Sequence, residues 1–336
     1  MNPVVADVFR NQTVESRHRG AAVAVDADGA VIFELGEIDA LVFPRSSLKP
    51  FQAIPLVESG AASHFEMSEQ ELALACASHN AELTHQEVLS QWMLRTGLQS
   101  QQLECGPSLP LHQDTAHALL REGAVAARHW HNCSGKHTGM LTLANFLQVS
   151  TAGYSSIEHI TQQRWIDVLS ELCDINIREM PWDRDGCGLP AFAMPLRSLA
   201  VAYSKFATGH HVDADRYTAM QTITNAMRRH PDMVAGTNRC CTATMLAADD
   251  LVVKTGAEGV VGGVSLSRKI GFALKIDDGA TRAADVALGA LLKSLDLLDA
   301  QSYRTAKQFY HPDILNSQGV VVGNIAPSSV WSHTAL

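Results

Sequence analysis

The sequence predicts an α/β protein of the α+β type: a mostly antiparallel sheet built from the two ends of the chain, with a helical region inserted between them. Three observations carry this reading. β-Branched apolar runs gather near the N-terminus and return after Asp249, whereas the residues between them repeat their apolar positions at helical spacing. No internal repeat, low-complexity tract or linker separates these regions. The order strands, helices, strands therefore closes into one unit over residues 1–336, with a sheet region near 1–60 and 235–336 and a helical region near 61–234.

The elements follow in order. "AAVAVDADGAVIFELG" is two apolar runs joined at Asp26–Gly29, the pattern of a hairpin with a tight turn. Ser46 to Ser59 reads as a helix, with Pro50 tolerated in its first turn and Pro55 kinking or shortening it. "SEQELALACASHN" opens with Ser68 and Glu71 in capping-box positions. "SSIEHITQQRWIDVLSELCD" is apolar at helical spacing, and "ECGPSLP" and "DRDGCGLPAFAMP" read as loops. "LVVKTGAEGVVGGVSL" and "KIGFALKIDDG" return to strands. A long amphipathic helix, "TRAADVALGALLKSLDLLDA", comes next, and "GVVVGN" is a last strand.

Composition narrows the function. Of 336 residues 46% are hydrophobic and 18% charged, enough apolar material for a sizeable core. The formal net charge of -9, with no Lys/Arg block, lacks the electrostatic footprint of a nucleic-acid binder. No apolar run reaches the roughly 18 residues of a membrane span, and the first residues do not read as a secretory signal. Seven cysteines, an odd number in a chain too large to need staples, point to a reducing, cytoplasmic protein with free thiols or metal-bound thiolates.

Three short motifs carry chemistry. "RSSLKPFQ" sets Ser46 three residues before Lys49, "SHN" spans Ser78–Asn80, and "KTG" spans Lys254–Gly256. The order S-x-x-K, S-x-N, K-T-G is the serine-acylase arrangement of penicillin-binding proteins and class A β-lactamases. A serine hydroxyl is a poor nucleophile until a base takes its proton, and a lysine at i+3 on a helix lies on the same face. Burial beside other cations lowers a lysine's pKa enough for the neutral amine to act as that base. Ser78 with Lys254 forms a second Ser–Lys pair, able to pass a proton to the leaving nitrogen. Alone, S-x-x-K is usually a helix cap followed by a solvated lysine, and S-x-N and K-T-G are ordinary turn chemistry; their occurrence together in this order is what favours catalysis.

Two loops hold further candidates. "HWHNCSGKHTGML" carries Cys133 and Lys136 with His129, His131 and His137, and "RDGCGLP" carries Asp185 and Cys187. Two cysteines far apart in sequence can share a zinc ion, but the spacing is not that of a zinc ribbon, and buried thiols packed beside turns are the plain alternative. Cys240 and Cys241 receive no role.

"PRSSLKPFQ", "CASHN", "NCSGKHTGML", "DGCGLPAFAMPL" and "KTGAEGV" together resemble the asparaginase II family, the inducible rhizobial-type, class 3 L-asparaginases. The resemblance runs over nearly the whole chain and implies a fold similar to serine β-lactamases and serine-dependent glutaminases. It implies hydrolysis of L-asparagine to L-aspartate and ammonia in a homodimer. Ser46 matches the nucleophile, Lys49 its base, Ser78 and Lys254 the second pair, and Cys133, Lys136 and Cys187 the ligands of one zinc per subunit that shapes the pocket rather than activating water. The zwitterionic substrate needs partners for its charged ends: Arg45 for the α-carboxylate, Asp185 for the α-amino group, and Asn80 and His137 for hydrogen bonds. Rival readings are a glutaminase or β-lactam-binding amidohydrolase and, from another class, a non-catalytic zinc-containing protein that binds an amino acid.

Overall fold

The computed structural model describes residues 1–332. In chain order its strands are β1 (Val4–Arg10), β2 (Thr13–Val25), β3 (Val31–Leu35), β4 (Leu41–Val42), β5 (Trp182–Arg184) and β6 (Pro190–Phe192). They continue with β7 (Met194–Pro195), β8 (Leu251–Gly256), β9 (Val260–Ser265), β10 (Ile270–Ile276), β11 (Asp313–Leu315) and β12 (Val321–Pro327). The chain divides into two compact units, one of residues 1–47, 193–210 and 243–336 and one of residues 48–192 and 211–242.

The first unit is built on an antiparallel sheet in the order β11-β12-β1-β2-β10-β9-β8, with β3 also paired to β2. Both chain ends supply it, as the two apolar regions of the sequence require. The β2–β3 hairpin turns where Asp26 Oδ1 accepts from the amides of Asp28 and Ala30, the local bonding that makes aspartate a turn residue. β2 changes character along its length. Its first half alternates exposed and half-buried residues, and from Gly20 to Val25 every residue is buried. That second half runs beside β10, with the helix Leu196–Thr208 packed against one face, and its residues are buried on both faces. The helix predicted over 281–300 stops at Ser294, because Asp296 takes a left-handed φ of 55°; a second helix, Ala300–Thr305, starts on an Asp299 cap.

The second unit is mainly helical around the fully buried Trp92, Trp165, Tyr154 and Phe51. The capping box forms as read, with Ser68 Oγ accepting from the Glu71 amide and the Glu71 carboxylate from the Ser68 amide. The helix Lys49–Glu58 carries Pro50 in its first turn and continues three residues past Pro55. One expectation is corrected: "DRDGCGLPAFAMP" is not merely loop. β5 and β6 make a hairpin within it, pairing Trp182 with Phe192 and Arg184 with Pro190, and its tip carries Cys187. Among the described residues, no helix is long and apolar enough to cross a membrane.

Candidate active site

In the helical unit, Lys49 is the first residue of its helix and is completely buried. Its Nζ donates to Ser78 Oγ at 2.9 Å and to the Ala77 carbonyl. Ser78 lies just beyond the helix Glu69–Ala75, in a stretch tied to other segments of the unit. The Ser78 amide donates to Val234 O (2.9 Å), the His79 amide to Asn132 O (3.2 Å) and the Asn80 amide to Ala235 O (3.0 Å). Ser78 is therefore fixed by backbone pairing before any side chain acts. Burial holds the Lys49 amine below its ordinary pKa, and the nearby Lys136 ammonium pushes the same way, against the pull of Cys133.

Cys133 precedes the helix Ser134–Phe146, where its amide donates to His131 Nδ1 at 3.1 Å. The hairpin tip brings Cys187 in: the Asp185 amide donates to Leu189 O and the Gly188 amide to Asp185 O. Lys136 Nζ stands 3.3 Å from Cys187 Sγ, and all three side chains are buried. Cys133 Sγ donates to Asn132 Oδ1 at 3.2 Å; its interaction with Cys187, helped by Lys49 and Lys136, holds Cys133 well below the ordinary thiol range against burial, and the same interaction with burial holds Cys187 well above it. Desolvation opposes a charge on Lys136, but Cys187, Cys133 and Asp185 outweigh it and raise its pKa.

Among the described residues, no group of three or more His, Cys, Asp or Glu side chains is disposed to hold a metal ion. A metal here would take its third donor from the Lys136 amine. Two thiols, one already acidified, fit a soft or borderline cation such as zinc in donor chemistry, and the amine would have to shed its proton on binding.

The remaining expected residues of this unit are placed as follows. His137 is buried, with Nδ1 2.6 Å from Tyr154 Oη, while its Nε2 has no hydrogen-bond partner among the described residues. Asp185 is half-buried and accepts from the Gly186 amide at 2.6 Å. Asn80 is buried and its side-chain amide is committed: Nδ2 donates to Glu82 Oε1 and Thr237 O, both at 2.9 Å, and Oδ1 accepts from Arg239 Nη1 at 2.8 Å.

In the sheet unit, Ser46 is half-buried in the 3₁₀ turn Arg45–Leu48, whose first residue takes a left-handed φ of 54°, a strained value for arginine. The Ser47 amide and hydroxyl both donate to Pro44 O, and the buried Tyr203 donates its hydroxyl to Ser47 O at 2.6 Å. The end of β8 abuts this turn. A Cβ on Gly256 would lie 2.4 Å from Pro44 O, 3.2 Å from Ser47 N and 3.4 Å from Ser46 N, so only glycine fits. Lys254, two residues back on the same strand, is completely buried and donates Nζ to Thr255 O at 2.7 Å.

The sequence reading missed Tyr203, His79, Glu82 and Arg239. His79 Nε2 lies 2.9 Å from Ser134 Oγ and its ring stacks on His85 with centroids 5.2 Å apart. A histidine inside S-x-N was a visible signal. Tyr203 and Arg239 sit in no motif.

A buried amine on a serine hydroxyl, beside thiols and a second buried lysine, is the equipment of a hydrolytic enzyme, and comparison with known proteins gives the class: an amidohydrolase acting on a small molecule. Residues 6–327 match the sequence model of L-asparaginase II, and the chain belongs to that family. No curated protein sequence matches the chain significantly. Among solved structures, similarity is found to a β-lactamase from Sphaerobacter thermophilus, at 13% identity and a TM-score of 0.41, covering 84% of this chain and 93% of that one. The protein Mglu, solved in 4.3 M NaCl, is similar at 16% identity and a TM-score of 0.49, over 90% of this chain and 68% of its own. A Bacillus glutaminase is similar at 10% identity and a TM-score of 0.38, over 83% and 91%.

Proposed function

We propose that the protein hydrolyses L-asparagine to L-aspartate and ammonia through an ester on Ser46. The Ser46 hydroxyl attacks the side-chain amide carbon and gives its proton to the Lys49 amine. The C–N bond breaks, and the nitrogen leaves as ammonia with a proton passed on by Ser78 and Lys254. Water then adds to the aspartyl ester, its proton returning through the same groups, and Ser46 is released.

The observation that carries this reading is the fully buried Lys49 amine, 2.9 Å from Ser78 Oγ and depressed in pKa, in a chain of the L-asparaginase II family. A neutral amine can accept a proton from a serine, and burial shifts Lys49 toward that neutral form. Arg45 and Asp185 are the sequence-derived partners for the two charged ends of the substrate, and His137 is a hydrogen-bonding wall.

Cys133, Lys136 and Cys187 would hold one zinc ion, which when bound supplies positive charge and a fixed anchor for the two loops. The working form is a homodimer in the cytoplasm. Ammonia release from L-asparagine, with L-glutamine and a β-lactam run beside it, tests the substrate. Ser46→Ala should abolish turnover with folding intact, and near-normal kcat in that variant rules out the ester.

A further inference from the structure

Next to Ser78 lies a cavity of about 400 Å3, lined by Asn80, His112, Asp114, Asn238 and Arg239 among others. None of the expected site residues except Asn80 belongs to it. Arg239 is half-buried at its wall. Its Nη1 is held twice from one side, by Ser78 O at 3.2 Å and Asn80 Oδ1 at 2.8 Å. Among the described residues, no carboxylate stands within ion-pair distance of this guanidinium.

The hold on Arg239 is itself built. Asn80 can present Oδ1 to arginine because its Nδ2 is fixed by Glu82 and Thr237 O, and Glu82 also accepts from the Thr237 amide (2.8 Å) and hydroxyl (2.9 Å). Gly236 lets the 236–239 segment close down on this pair: at φ 108°, a Cβ there would lie 2.6 Å from Glu82 Oε1 and 2.7 Å from Asn80 Nδ2. An arginine anchored by two neutral acceptors keeps its charge and its remaining N–H groups for a further anion.

We propose that Arg239, positioned by Asn80 and the Ser78 carbonyl, binds the α-carboxylate of the amino-acid substrate, and that this cavity is the subsite for the substrate's charged end. Its hydrogen bond to the carbonyl of Ser78 ties the guanidinium to the same residue whose hydroxyl accepts from Lys49. Asp114 gives the same cavity a negative wall, so both charges of a zwitterion have a counterpart in it. This inference rests on the amidohydrolase reading above and makes Arg239, rather than Arg45, the carboxylate partner.

The test compares L-asparagine with 3-aminopropanamide, the same amide without its α-carboxylate, on wild type, Arg239→Met and Arg239→Lys. Turnover is followed by ammonia release and binding by calorimetry, with melting temperature as the check on folding. Wild type should favour L-asparagine strongly. In Arg239→Met that preference should fall by about ten- to a hundredfold, the loss expected on removing a charge-assisted bidentate contact, with KM rising more than kcat falls. Arg239→Lys should recover part of it. A variant that is folded and keeps the wild-type preference overturns the proposal, as does an equal loss on both amides, which marks Arg239 as a structural tie. A wild type that binds L-asparagine through Arg239 but hydrolyses neither amide refutes the proposed function and supports the subsite. A wild type that does not bind L-asparagine overturns both.

Discussion

Replacing Gly256 by alanine adds one methyl group at the point where β8 meets the turn that carries Ser46. The new Cβ would lie 2.4 Å from Pro44 O, backbone that cannot rotate aside, and 3.2 Å from Ser47 N. Relief needs a movement of roughly 1 Å to reach an ordinary contact of about 3.5 Å. Overpacking of this kind costs about 1–3 kcal/mol. At about 2–4 °C for each kcal/mol, the melting temperature should drop by several degrees. The shift falls on the turn itself, so kcat on L-asparagine should fall about ten- to a hundredfold, as misplacement on the ångström scale does. Gly106→Ala is the control: it is exposed, a Cβ there meets nothing within 4 Å, and both quantities should hold. Differential scanning fluorimetry and an ammonia assay on the three proteins decide. If Gly256→Ala melts and turns over like wild type, β8 does not press on the Ser46 turn and the role given to K-T-G fails.

Tyr203→Phe removes only the hydroxyl that donates to Ser47 O, and should cost about 1–2 kcal/mol and lower kcat several-fold; unchanged kcat would free the turn from this anchor. Glu82→Gln should destabilise by about 1–2 kcal/mol at neutral pH, since it removes a charged acceptor of three hydrogen bonds. The Glu82 carboxyl is held below its ordinary 4.5, because the bonds from Asn80 and Thr237 outweigh the burial that opposes its charge. A lowered carboxyl pKa stabilises the fold above the unfolded value and loses that contribution as pH falls through the folded one. The melting gap between Glu82→Gln and wild type should therefore be full above about pH 5 and close on acidification, and a gap that does not change with pH refutes the assignment. Protein purified without chelator should carry about one zinc per chain by elemental analysis, and Cys133→Ser should carry far less. Equal zinc in both proteins removes the site.

How much of this was legible in the sequence depends on the range of each interaction. The β2–β3 hairpin and the Ser68 capping box are local devices, written in residues a few positions apart, and they formed as read. β5 and β6 were invisible because three residues of strand, broken by glycine, proline and cysteine, leave no alternation to detect. The site shows the same division. The motifs mark Ser46, Ser78 and Lys254 by residue type, and the loops mark the two cysteines. Motif logic pairs Ser78 with Lys254, but the amine that donates to Ser78 here is that of Lys49, 29 positions away. That contact depends on the backbone pairing of 78–80 with 132 and 234–235, which no local pattern announces. Arg239 follows the ordinary turn residues Thr237 and Asn238. Its meaning comes only from the Ser78 carbonyl and Asn80, about 160 positions away.

The buried cluster also explains why two neighbouring lysines shift in opposite directions. Lys49 and Lys136 are both buried, and burial opposes the charge on each. Cys133 is held below the ordinary thiol range and Cys187 above it, and both pull on the neighbouring ammonium groups. At Lys136 the pull of Cys187, Cys133 and Asp185 outweighs burial, and its pKa rises. At Lys49 burial outweighs the pull of Cys133, its hydrogen-bond partners are a serine hydroxyl and a main-chain carbonyl, and its pKa falls. Burial lowers the pKa of both amines, and the pull of the thiols and Asp185 overturns it only at Lys136, so a residue set read from the sequence as metal ligands also sets the two lysines apart through charge.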